Sequence, residues 1–316
     1  MKEHQAREII FEEQIKKLLQ NSGYISVVEE TVYGRSGDHG IYSYAKVNMP
    51  TAFVYPVRLL CQYKYYAKNK VELAHIRDFG GIMADVSECN YTSKNDMTNK
   101  AGVNIPDRYT DAGCYFSVTA FSRPAQEYAW AHNIFLMSFE RIDILQDMFM
   151  DIEEFVSTLN ENTITTLSRS EVLDGFANYC AEKKVDYNNV MGVVAILNGV
   201  YPVLILGPKD WLMNIIMEAE SQRGGRVKVE KTVSVQNQYE TKLDVTFKEA
   251  NVEFAVPNVI LEKMMERRDN TTDRNIMFNI DIPYINEFGR KGFASMELEV
   301  DGFSRNEFVY EQFSLF

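Results

Sequence analysis

The chain has 316 residues, of which 46% are hydrophobic and 25% charged, as in a globular protein long enough for two domains. No apolar run reaches the roughly 18–20 residues that cross a bilayer, and residues 1–5 lack a signal peptide's apolar core. We therefore expect a cytoplasmic protein without membrane contact. Four scattered cysteines without a Cys-x-x-Cys pair argue against structural zinc and favour buried thiols. The formal net charge of −12 argues against nucleic-acid binding by overall charge.

The first predicted element is an amphipathic helix over residues 6–19. Phe11, Ile15 and Leu18 share one apolar stripe at helical spacing. Either Glu8 or Glu12 can lie at the edge of this stripe, where the helix meets the following sheet.

A glycine-rich connection follows, between strands predicted over residues 24–28 and 41–45. Residues 34–40 read Gly-Arg-Ser-Gly-Asp-His-Gly. Glycine allows positive φ and lets a backbone or a metal come close, so this loop can present Asp38 at the end of a strand.

The next predicted strand, residues 53–66, is rich in β-branched and aromatic residues and contains Gln62-Tyr63-Lys64. Residues i and i+2 of a strand point the same way, so Gln62 and Lys64 share one face. A lysine on an apolar strand needs a partner such as Asp38 or a place at the strand end. An acid, an amide and an ammonium that converge suit a divalent metal, a water and a phosphodiester.

This order of elements resembles the Mrr-type branch of the PD-(D/E)xK restriction-endonuclease-like superfamily, over about residues 1–145. The motifs are Phe11-Glu12 on the helix, Asp38 in the glycine loop and Gln62-Tyr63-Lys64 on the strand. Later segments are similar to the family's helix, strand, helix and final strand, and they cover 71–81, 113–122, 125–132 and 134–137. Ile41-Tyr42 stands where Ile-Asp is common, so an acid that some members use is absent and the metal stoichiometry is open.

The resemblance implies an α/β fold with a mixed sheet flanked by helices and a site that uses Mg²⁺, or Mn²⁺ in its place. In this site Asp38, Gln62 and Glu12 hold the metal, with Glu8 and Glu13 as rivals of Glu12, and Lys64 orients the attacking water. The basic residues expected to bind substrate are Arg35, Lys68 and Arg77.

Residues 146–316 predict a second, α+β domain, for which no family resemblance is found. A polar loop over 90–111 interrupts the pattern of the first domain. An acidic helical connector precedes the strands of the second, and its acids are interpreted as a solvated helix face. Asn198-Gly199 between apolar runs predicts a hairpin. We assign this domain recognition, sensing or oligomerisation.

The functional hypothesis is a metal-dependent endonuclease that hydrolyses DNA phosphodiester bonds in restriction or anti-phage defence. Its acidic charge predicts weak DNA binding by the free chain, so a homodimer, a higher oligomer or a protein partner is expected. Two alternatives stay open. One is a catalytically inactive nuclease fold that serves as a binding subunit of a multi-protein defence complex, and the other is a nuclease that cuts RNA.

Overall fold

The computed structural model describes residues 1–21, 26–47, 57–89, 109–159, 164–222, 226–248, 250–266, 276–285 and 291–300. Most of the predicted polar loop over 90–111 lies outside these ranges. Within them the chain forms two sheets, of five and eight strands, with helices packed on both. No helix in the described part is long and apolar enough to cross a membrane.

The first sheet is mixed and has the order β1-β2-β3-β4-β5. Its strands are Ser26–Tyr33 (β1), Asp38–Val47 (β2), Val57–Lys64 (β3), Thr110–Ser117 (β4) and Ile134–Ser138 (β5). Its helices are Glu3–Asn21 (α1), Leu73–Cys89 (α2) and Arg123–Ala131 (α3). The first three strands pair antiparallel, and β3, β4 and β5 pair parallel. The mixed sheet between helices is the predicted fold.

Alternation along β3 explains how the sheet is covered. Tyr63 is buried against Phe11 of α1, with their ring centroids 6.4 Å apart. Leu60, of opposite parity, is buried in a second apolar cluster with Ile76 and Phe79 of α2. The helices therefore cover opposite faces of the sheet, as the period of two along a strand requires.

The described residues of the second part of the chain form eight strands and four α-helices. Its helices are Gln146–Thr158 (α4), Arg169–Lys183 (α5), Trp211–Ser221 (α6) and Asn258–Glu266 (α7). Its strands are Val190–Leu197 (β6), Tyr201–Pro208 (β7), Arg226–Val227 (β8), Lys231–Gln236 (β9), Glu240–Phe247 (β10), Ala250–Pro257 (β11), Ile276–Ile285 (β12) and Lys291–Val300 (β13). The sheet order is β8-β13-β12-β6-β7-β11-β10-β9.

This second sheet curls until its two ends approach each other. β8 and β9 lie at opposite ends of the strand order, yet only residues 228–230 join them. Val227 and Lys231 are four positions apart and can be separated by roughly 14 Å at most, so the ends of the sheet cannot be far apart. Residues 226–236 therefore form two strands, because β8 pairs with β13 and β9 pairs with β10 at different ends of the sheet.

The local hairpin prediction in this part is confirmed. Asn198 and Gly199 have φ of 50° and 67° and connect β6 to β7, as expected for an Asn-Gly hairpin turn. Ser168 caps α5 in a reciprocal capping box with Glu171. Asp151 departs from the expected solvated face of the acidic connector, because it is buried, pairs with Lys183 and accepts a hydrogen bond from Tyr187.

The two parts of the chain share one apolar cluster. It includes Phe11 of α1, Phe116 of β4 and Phe149 of α4, and it continues into Leu204 and Leu206 of β7. A domain boundary at residues 145/146 stays a prediction. The packing shows that the segments on either side of this boundary bury apolar surface against each other.

Candidate active site

The predicted site lies where β3 ends. Gln62 and Lys64 are partly exposed, whereas Cys61 and Tyr63 between them are buried. The strand's alternation therefore leaves the two polar side chains on one face, at the carboxyl end of a strand that pairs parallel with β4. Among the described residues no hydrogen bond of the Gln62 side chain is found.

A carboxylate from α1 closes one side of the site, and it belongs to Glu8. The Glu8 Oε2 atom lies 3.3 Å from Lys64 Nζ, and these side chains are 27% and 24% exposed. Glu12 instead forms ion pairs of 3.1 Å with Lys16 and with Arg169. Glu8 is thus the α1 carboxylate that the structure brings to Lys64, and a role for Glu12 in metal binding stays a prediction.

An aromatic side chain supports Lys64 from the other direction. The Lys64 ammonium lies 5.4 Å from the centroid of the Tyr66 ring, a distance typical of a cation–π contact. The Tyr66 hydroxyl forms a 2.8 Å hydrogen bond with Nε2 of His75 on α2. His75 therefore has a structural role, and it fixes the ring beside the candidate catalytic lysine.

The glycine loop is held by α2. The Ser36 hydroxyl donates to Asp85 Oδ1 at 2.6 Å, and His39 Nε2 lies 2.7 Å from Asp85 Oδ2. The hydrogen bond from Ser36, followed by that from His39, lowers the pKa of Asp85 to about 2. Asp85 is therefore a carboxylate at neutral pH and can accept from both groups.

Asp38 is the first residue of β2, and its backbone pairs with that of Tyr33 on β1. Ser43 lies opposite Cys61, so odd positions of β2 match odd positions of β3. This match does not extend to Asp38, because the pairing of β2 with β1 contains a register shift between Ile41 and Asp38. The Asp38 side chain lies outside the described part of the structure, and its convergence with Lys64 stays a prediction.

The three basic residues expected to bind substrate have different surroundings. Arg35 forms a 2.7 Å ion pair with Glu88 of α2. Arg77 is exposed, with its guanidinium 5.8 Å from the Tyr128 ring, and Lys68 is exposed in the turn after β3. Lys68 and Arg77 are thus open to solvent, and their contact with substrate stays a prediction.

Where side chains are described, no group of three His, Cys, Asp or Glu residues is placed to hold a metal ion. A donor set at the end of β3 that consists of Asp38 with Gln62 or the nearby Glu8 stays a prediction. Oxygen donors of these types suit Mg²⁺ or Mn²⁺ rather than zinc. The residues thus fit an oxygen-ligated divalent cation, with Lys64 beside it.

The thiols of the first sheet take no part in this chemistry. Cys61 and Cys114 are neighbours on β3 and β4, and both are buried and unbridged. Burial raises the pKa of Cys61 to about 12 and that of Cys114 well above its usual value. The prediction of buried, unreactive thiols is confirmed for this pair.

Comparisons with known proteins bear on the N-terminal part. No curated protein matches the chain. The crystal structure of a protein of unknown function, AF1548, is similar, with 14% sequence identity and a TM-score of 0.31, over 58% of this chain and 99% of that one. Residues 5–145 match the family model of the Mrr catalytic domain, described as a restriction endonuclease. The predicted resemblance is confirmed over residues 5–145, which match this restriction-endonuclease family.

Proposed function

We propose that this protein is a metal-dependent endonuclease that hydrolyses phosphodiester bonds in DNA. One observation carries the proposal: Lys64 ends β3 beside Gln62 and contacts Glu8, within a region that matches a restriction-endonuclease family. The surroundings of Lys64 support the proposal, because its side chain is 24% exposed and contacts a single carboxylate among the described residues. It keeps hydrogen-bond donors for a water or a phosphate oxygen.

The roles of the side chains follow from their chemistry. Lys64 donates to the attacking water and to a non-bridging phosphate oxygen, and so offsets the charge that develops as the water bonds to phosphorus and the ester oxygen leaves. Glu8 and the Tyr66 ring limit the positions that the Lys64 ammonium takes. Asp38 and Gln62, with Glu8 or Glu12, are the residues assigned to hold the metal. A bound Mg²⁺ supplies Lewis-acid activation of water and neutralises phosphate charge.

Cleavage of plasmid DNA tests this function. The purified full-length chain is incubated with supercoiled plasmid and Mg²⁺, Mn²⁺ or EDTA, beside Lys64→Ala and Asp38→Asn. Lys209→Ala is the matched control, because Lys209 is an exposed lysine in the turn after β7. We expect cleavage with either metal, none with EDTA, none by the two site variants and parental cleavage by the control. Equal cleavage by all variants contradicts the assigned roles.

The same assay with RNA and with a duplex-binding measurement separates the alternatives. Cleavage of RNA but not of plasmid supports the RNA-cutting alternative. Binding of duplex without cleavage in any metal supports the inactive binding subunit.

We propose restriction or anti-phage defence as the biological role, in the cytoplasm, by extension from the family resemblance. A strain that expresses the parent is expected to lower phage plating, and the Lys64→Ala strain is not. Equal plating on both strains contradicts the defence role.

Assembly is the remaining part of the proposal. The net charge of −12 opposes long-range attraction to DNA, and both strands of a duplex need an active site. A homodimer that aligns two sites meets both requirements, with residues 146–316 as the controlling part or as the docking site for a protein partner. Light scattering of the full-length chain measures the mass in solution. A strict monomer that cuts both strands unaided contradicts this part.

A further inference from the structure

The glycine loop before β2 is tied to α2 at two points that flank Asp38. Ser36, two positions before Asp38, donates its hydroxyl to Asp85 Oδ1 at 2.6 Å and its backbone N–H to both carboxylate oxygens at 3.2 Å. His39, directly after Asp38, lies 2.7 Å from Asp85 Oδ2 through its Nε2 atom. One carboxylate therefore holds a residue on each side of the one assigned to the metal.

Close packing of the backbone reinforces these hydrogen bonds. The Arg35 N–H donates to the Asp85 carbonyl at 3.3 Å, and the Gly34 N–H donates to the Gly37 carbonyl at 2.8 Å. A Cβ at Gly34 would lie 1.8 Å from Asp85 Oδ2 and 2.5 Å from His39 Nε2, so a side chain at this position would displace the Asp85 carboxylate. The position of the Asp85 side chain thus depends on the glycine of the loop.

Asp85 can act as an anchor because its helix is itself fixed. Val86 and Phe79 of α2 are buried, and they pack with Leu60 of β3 in one apolar cluster. The same helix carries His75, whose partner Tyr66 lies beside Lys64. A single rigid element therefore positions groups on both sides of the site.

We propose that Asp85 is a positioning residue for Asp38, which it holds at the place from which Asp38 takes its divalent cation. This inference rests on the proposed function, since it takes Asp38 as a metal ligand. Both carboxylate oxygens of Asp85 are engaged by Ser36 and His39, so Asp85 acts through the loop and is not itself a ligand. Groups that orient the ligands of a metal commonly contribute about 10–100-fold to its affinity.

Binding of Mn²⁺ to the full-length chain without DNA tests the inference, with electron paramagnetic resonance of the free ion as the readout. The variants are Asp38→Ala, Asp85→Ala, Asp85→Asn and Gly34→Ala. The control is Asp78→Ala, which removes an exposed carboxylate from the same helix. We expect Asp38→Ala to abolish binding, and Asp85→Ala and Gly34→Ala to weaken it about tenfold. Asp85→Asn keeps one acceptor oxygen and is expected to lose less, and Asp78→Ala is expected to bind as the parent.

Thermal unfolding and hydrogen exchange of the segment 34–40 accompany the titration. Faster exchange in this segment of folded Asp85→Ala, with weaker Mn²⁺ binding, supports the positioning role. If Asp85→Ala does not fold, Gly34→Ala and Asp85→Asn carry the test. Gly34→Ala disturbs the same contact from the loop, and Asp85→Asn weakens it by a smaller change of the side chain.

The outcomes separate this inference from the proposed function. Loss of binding in Asp38→Ala with parental affinity in folded Asp85→Ala and Gly34→Ala overturns the positioning role and leaves the nuclease proposal intact. Parental binding by Asp38→Ala overturns both the metal site and its positioning. Weakened binding in the Asp85 and Gly34 variants of a chain that cuts no DNA supports the positioning role and overturns the nuclease function.

Discussion

Lys64 in the first sheet and Lys242 in the second lie on strands and contact carboxylates, but their surroundings differ. Lys242 is 5% exposed and forms ion pairs of 2.5 Å with Asp143, 3.1 Å with Asp244 and 3.2 Å with Glu253. Burial alone would lower the pKa of Lys242, but the three carboxylates outweigh this effect and raise it. Lys64 is 24% exposed and contacts Glu8 at 3.3 Å.

The comparison teaches how a structural lysine differs from a candidate catalytic one. The buried ammonium of Lys242 faces three acids and donates hydrogen bonds to two of them, Asp143 and Glu253, so its partners are structural. Lys64 keeps donors at the end of a strand that opens to solvent. Removal of Lys242 should therefore affect folding, and removal of Lys64 should affect chemistry.

The largest expected effect is on cleavage by Lys64→Ala. Loss of a group that orients water and stabilises charge typically costs about 10²–10⁴-fold in rate. The ion pair of Lys64 with Glu8 is partly exposed and contributes at most about 1 kcal/mol to stability. Single-turnover plasmid cleavage measures the rate, and urea unfolding of the same preparations measures the free energy of unfolding. A loss of activity that matches a loss of folded protein would remove the distinction between the two lysines.

Lys242→Met is the converse experiment. It leaves Glu253 and Asp244 without their cation in a largely buried setting, and the expected loss in the free energy of unfolding is about 3–5 kcal/mol. The folded fraction should cut DNA at the parental rate. Lys248→Met is the control, because the Lys248–Glu218 pair of 2.6 Å has a lysine that is 53% exposed and should contribute less than about 1 kcal/mol. Similar losses in both variants would contradict the assignment of Lys242.

The second sheet also contains a buried acid that makes its stability depend on pH. Glu240 on β10 is 2% exposed, its Oε1 atom has no hydrogen-bond partner among the described residues, and burial raises its pKa from 4.5 to about 7. The folded state then holds a proton that the unfolded state releases above pH 4.5. Stability contributed by this group is fully present below about pH 4.5 and falls as pH rises to about 7. The loss amounts to at most about 3 kcal/mol.

Glu240→Gln should remove this dependence and raise stability above pH 7. Urea unfolding of the parent and the variant between pH 5 and pH 8 measures the difference. A parent and variant whose stabilities change in parallel over this range would show that Glu240 does not titrate there.

Much of the first sheet follows from local patterns. The helix predicted over 6–19 is Glu3–Asn21, and the strand predicted over 53–66 contains β3, Val57–Lys64. The apolar stripe of α1 sets which face packs on the sheet. It does not set which turn lies at the strand end, because that depends on how the helix crosses the sheet. For this reason Glu8 and Glu12 were equivalent in sequence, and only the structure brings Glu8 to Lys64.

Asp85 shows what the sequence does not contain. It lies 46 positions from His39 and 49 from Ser36, and no local motif connects these residues. Gly34 was the available signal, since a glycine can mark a close approach, but it does not reveal the approaching group. The apolar cluster that Phe11 and Leu204 share could not be predicted for the same reason, because packing between distant segments produces no periodic pattern in the sequence.

The smallest expected effect concerns the contact between the two parts of the chain. Arg123 at the start of α3 donates two hydrogen bonds, of 2.8 and 2.7 Å, to Glu262 of α7. Arg123 is 42% exposed, so solvent screening limits the pair despite its bidentate geometry. A double-mutant cycle with Arg123→Ala and Glu262→Ala should give a coupling energy of about 0.5–1 kcal/mol in urea unfolding. Cleavage by the folded fraction should change less than about twofold, because the ion pair lacks contact with Lys64 or Glu8. A change of cleavage beyond tenfold without loss of stability would instead show that control by the C-terminal part passes through this contact.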